Sequence, residues 1–131
     1  MVAERCFKVV TTSHGVYMSA FVRHEAQVVY EIGKPTRAPG YMLKHGYGLL
    51  GFSNQADAIN FMRESYGDCL FLALGTDPMP LPLRLLTPEF VWGWNRVKGR
   101  IPFVRKAWVW PPGTVMYRQI ELTQLLHRNV V

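Results

Sequence analysis

The sequence predicts an α+β fold, in which one or two helices pack on a mainly antiparallel sheet within a single small domain spanning residues 1–131. Three observations support this class: short segments rich in β-branched residues, glycines and prolines that separate them, and one well-capped amphipathic segment near the middle. A chain of 131 residues is of ordinary single-domain size and can bury a hydrophobic core.

The N-terminal part predicts three strands in succession. Residues 7–12 are rich in β-branched side chains, and His14-Gly15 is a turn candidate that would join them to a second strand over residues 16–22. Residues 27–32 alternate in the manner of a third strand. One face of that strand would carry Val28, Tyr30 and Ile32.

Residues 33–51 predict a long irregular surface loop, because they contain five glycines and two prolines. Basic side chains and a histidine lie among them, which suggests an alternative in which the loop cradles a phosphate group. The segment lacks the spacing of a nucleotide-binding P-loop and of the dinucleotide fingerprint. The surface loop is therefore the preferred interpretation.

Residues 53–65 form the clearest helix. Ser53 or Asn54 can cap its start, and Gly67 can end it. Its apolar stripe is expected to contain Ala56, Ile59 and Met62, with Phe61 alongside. The following apolar run, residues 69–74, predicts a strand buried on both faces, and the prolines of residues 76–82 are expected to end regular structure.

The C-terminal third predicts a second helix and two more strands. Thr87-Pro88-Glu89 is a helix start signal and Gly99 a stop, although a strand is the competing interpretation of this segment. Residues 103–110 alternate as a strand, Pro111-Pro112-Gly113 stops it, and residues 114–122 form the last strand.

The most distinctive feature is a basic and aromatic block. All four tryptophans lie between Trp92 and Trp110, and the intervening charged side chains are all basic. Residues 1–83 contain seven Lys/Arg and seven Asp/Glu, whereas residues 84–131 contain eight and two, so the last third carries the whole net charge of +6. The candidate anion-binding residues are Arg96, Lys98, Arg100, Arg105, Lys106, Trp108 and Trp110.

Other chemistry has little support in the sequence. Cys6 and Cys69 have apolar neighbours and are expected to be reduced, buried and unpaired. No cysteine and histidine cluster has zinc spacing, so we expect no metal site and no cofactor. The scattered histidines (His14, His24, His45 and His127) show no catalytic spacing. The start lacks the apolar core of a secretion signal and no apolar run could cross a membrane, so we expect a cytoplasmic protein without a membrane partner.

Three functions are consistent with these patterns. The leading hypothesis is a binding module for nucleic acid or another polyanion that uses residues 92–118, because cations attract phosphate and indoles stack on bases. The second is a small enzyme acting on a nucleotide or phosphorylated ligand, with a pocket formed by residues 33–51 and the histidines. The third is a homo-oligomer whose interface is the aromatic block. The alternative interpretation of the block, with the tryptophans in the core and the basic residues as a solvated rim, would leave the first and third of these functions without a site.

Overall fold

The computed structural model describes residues 3–19, 28–44, 46–63, 67–81 and 110–128. These residues form a seven-stranded sheet and two helices. The strands are β1 (Glu4–Ser13), β2 (Val16–Ser19), β3 (Val29–Tyr30), β4 (Pro35–Arg37), β5 (Leu49–Phe52), β6 (Cys69–Met79) and β7 (Thr114–Arg128), and the helices are α1 (Gly40–Lys44) and α2 (Gln55–Arg63).

The sheet closes on itself. Strand β1 pairs with β6 along one edge and with β5 and β2 along the other, while β7 pairs with β6 along one edge and with β5 and β4 along the other. Because β1 and β7 share both β5 and β6 as neighbours, these four strands form a ring. Every pairing between named strands is antiparallel. The predicted antiparallel sheet is confirmed and the two helices are compatible with the one or two expected, but the described residues are mostly strand, so the α+β label fits only loosely.

Two apolar clusters lie on opposite faces of this sheet. The interior cluster contains residues from β1, β3, β6 and β7, with Tyr30, Phe71, Ile120 and Leu122 among its largest buried members. The outer cluster lies beneath α2 and includes Val9 and Leu70. Strand β6 contributes to both clusters, with Phe71 inward and Leu70 outward. The prediction that residues 69–74 are buried on both faces is therefore confirmed for the core of the strand.

The β1–β2 hairpin has the predicted turn. His14 and Gly15 both have positive φ angles, 52° and 79°, between the paired residues Ser13 and Val16. Two consecutive positive φ values give the type I′ twist that matches paired strands.

Strand β3 is shorter than predicted. Ile32 makes an isolated bridge to Leu122, and its side chain is exposed and does not lie on the buried face with Val28 and Tyr30.

Helix α2 begins at the predicted cap but presents a different face. The Asn54 side chain accepts a hydrogen bond from the Asp57 backbone N–H at 2.9 Å. Buried on the sheet are Ala58, Phe61 and Met62. The predicted stripe was wrong in part, because Ala56 is exposed and Ile59 only half-buried.

No described helix is long enough to cross a bilayer, and α2, the longer of the two, has nine residues.

The expectation of an irregular segment over residues 33–51 was wrong. The segment contains β4, α1 and the start of β5. Its prolines take positions that regular structure tolerates: Pro35 is the first residue of β4, and the Pro39 carbonyl accepts hydrogen bonds at the start of α1. The short helix and strands pack against β7 and the interior, which local propensity does not indicate.

The expected break at residues 76–82 was also placed too early. Strand β6 continues to Met79 and pairs with β7 through Thr76, Pro78 and Met79. Pairing with β1 ends at Gly75, so beyond this point β6 is bonded on one side only, and Pro78 lacks a backbone donor where β1 no longer pairs. The last predicted strand is confirmed and extends beyond 122 to Arg128. The predicted second helix, over residues 87–99, lies outside the described residues, as does the predicted strand over 103–110 except for Trp110, which is not in a strand.

Candidate functional site

The structure tests little of the predicted basic and aromatic site. Arg96, Lys98, Arg100, Arg105, Lys106 and Trp108 lie outside the described residues, as do Trp92 and Trp94. Trp110 is described and is half-buried. This single indole is neither fully in the core nor fully available for stacking, so the site stays a prediction.

The structure does show where residues 82–109 join the rest of the chain. This segment follows β6 and precedes β7, and at that end the two strands pair through Met79 and Met116. A turn at 110–113 leads into β7: the Pro111 carbonyl accepts hydrogen bonds from Thr114, and the Gly113 carbonyl accepts one from the Ser53 backbone at 2.8 Å. Both strands that bracket residues 82–109 are thus joined at one end of the closed sheet.

The charge is concentrated in the same segment. Residues 82–109 contain six Lys/Arg and one Asp/Glu, which is +5 of the net +6. In the described part of the chain one ion pair forms, between Lys34 and Glu31 at 2.8 Å. Seven described basic side chains are exposed: Arg5, Lys34, Arg37, Lys44, Arg63, Arg118 and Arg128.

The pocket suggested for an enzyme does not gain support. The long loop that was expected to form this pocket, residues 33–51, instead contains β4, α1 and the start of β5. His14 lies at the exposed tip of the first hairpin and His127 is exposed near the end of β7, whereas His24 and His45 lie outside the described residues. Within the described ranges, no three His, Cys, Asp or Glu side chains are grouped so that they could hold a metal ion.

A polar cluster that the sequence analysis did not single out lies inside the closed sheet. Strand β1 turns alternate residues inward, and the inward set is Cys6, Lys8 and Val10. Lys8 is only 6% exposed. Its Nζ donates a hydrogen bond to the Leu50 carbonyl at 2.5 Å and lies 5.2 Å from the centre of the Tyr30 ring. The sequence did contain a signal for this cluster: Lys8 lies between two apolar residues, Cys6 and Val10, that face the same side of strand β1.

Tyr30 is the second member of this cluster and is 1% exposed. Its hydroxyl has no hydrogen-bond partner of ordinary geometry. Ser19 acts on this hydroxyl as a weak hydrogen-bond partner and so works to lower the pKa of Tyr30, while the Ser19 hydroxyl also bonds the Val28 backbone, at 2.9 Å from the N–H and 3.3 Å from the carbonyl. Burial outweighs Ser19 and raises the pKa of the Tyr30 hydroxyl.

Burial dominates the electrostatics of the whole cluster. It lowers the pKa of Lys8 from 10.5 to about 8, against the opposing effect of Cys6. It also raises the pKa of the Cys6 thiol to about 11 and that of Tyr117 to about 12. The Tyr117 hydroxyl donates to a Glu4 carboxylate oxygen at 3.4 Å, so that carboxylate is directed to Tyr117 and forms no ion pair with Lys8.

Both cysteines are free and buried, as predicted. Cys69 lies at the start of β6 with its sulfur 3.4 Å from the Thr12 hydroxyl. Thr12 also binds Asp68, whose carboxylate accepts from the Thr12 backbone N–H at 2.9 Å. These bonds fix the start of β6 against β1.

Comparison with known proteins gives no functional information, since no protein family, no curated protein and no solved structure matches the chain. The function must therefore be argued from the residues alone.

Proposed function

We propose that this protein is a binding module for nucleic acid or another polyanion, with Arg96, Lys98, Arg100, Arg105, Lys106, Trp108 and Trp110 as the contacting residues. The supporting observation is that +5 of the net +6 charge falls in residues 82–109. The strands on either side of that segment pair with each other, which attaches both of its ends to one end of the closed sheet.

The chemistry follows from the composition of the segment. Lysine and arginine that neutralise phosphates release condensed counterions, which gives affinity without sequence preference. Indole rings stack on exposed bases, and each stacked base contributes about 1–3 kcal/mol. A single-stranded partner is favoured because its bases are free to stack. A cytoplasmic location, proposed from the sequence, would place the protein with such partners.

The first test is a titration of the full chain with a fluorescein-labelled single-stranded oligonucleotide at several salt concentrations. The logarithm of affinity should fall with the logarithm of salt by about 0.7 per phosphate neutralised. Arg100→Ala and Lys106→Ala should each weaken binding for all sequences alike and reduce that slope. Arg63→Ala is the matched control, because Arg63 is an exposed cation at the end of α2.

The second test uses the indoles. Oligonucleotide should quench tryptophan fluorescence, and Trp108→Ala should weaken binding by about 1–3 kcal/mol. An affinity indifferent to salt, or no quenching at low salt, contradicts the proposal. If sedimentation shows a concentration-dependent dimer in which the tryptophans become protected, the aromatic block is an interface between copies of the chain and the proposal fails.

A further inference from the structure

We draw no further inference here: the strongest candidate, the side-chain cluster of Thr12, Tyr17, Cys69 and Arg128 at one end of the closed sheet, rests on a single cysteine that is fully buried, and nothing in the described part of the structure points to a ligand that this cluster would bind.

Discussion

Replacing Lys8 by methionine should stabilise the protein at neutral pH. Methionine keeps an unbranched stem of similar volume and removes the buried charge. The folded state lowers the pKa of Lys8 from 10.5 to about 8, which at about 1.4 kcal/mol per pKa unit corresponds to about 3 kcal/mol of stability lost at pH 7. Loss of the hydrogen bond to Leu50 offsets about 1–2 kcal/mol of the gain. We expect a net increase of about 1–2 kcal/mol in the free energy of unfolding.

The pH dependence of this stability difference tests the buried charge more directly than the difference at one pH. Between pH 8 and 10.5 the unfolded chain retains a proton on Lys8 that the folded protein has released, so the stability of the wild type rises with pH through this window. Relative to Lys8→Met, the wild type should gain about 2 kcal/mol between pH 7 and pH 9.5. Cys6, whose raised pKa acts in the opposite direction above pH 9, nearly cancels in the difference up to pH 9.5: Lys8→Met removes a charge that lowers the pKa of the thiol, but the folded thiol stays protonated in both proteins.

The measurement is urea unfolding of both proteins at several pH values. Lys44→Met is the control, because Lys44 is exposed on α1 and should show no such difference. A stability difference between wild type and Lys8→Met that stays constant from pH 7 to 9.5 would refute the reasoning, and would mean that Lys8 is solvated in the folded protein.

Three further predictions, made with five substitutions, test the packing by the same unfolding assay. Asn54→Ala removes the cap of α2 and should cost about 1 kcal/mol; an unchanged stability would show that the Asp57 bond contributes nothing. Gly75→Ala would place a Cβ 2.5 Å from the Tyr117 ring and should cost at least about 1–3 kcal/mol, whereas Gly40→Ala, which meets no atom within 4 Å, should be nearly neutral. Phe61→Ala should cost about 3–5 kcal/mol, and the half-buried Ile59→Ala clearly less than Phe61→Ala; the reverse order would mean that α2 faces the sheet with its predicted stripe.

The sequence alone determined the features that rest on neighbouring residues. The His14-Gly15 turn, the Asn54 cap and the apolar run of β6 were all recognisable, because backbone sterics, capping hydrogen bonds and hydrophobic periodicity act within a few residues. The concentration of positive charge in residues 82–109 is likewise a property of the sequence and needs no fold to be seen.

The tertiary structure decided which side of each element is buried and which strands become neighbours. Helix α2 has apolar residues on more than one side, and packing against Val9 and Leu70 selected the face around Phe61. Pairing with β7 carried β6 through Pro78, where local propensity predicted a break. The inward position of Lys8 has the same origin: alternation on β1 gives two faces, and only closure of the sheet made the face of Lys8 an interior, where the loss of water shifts its pKa.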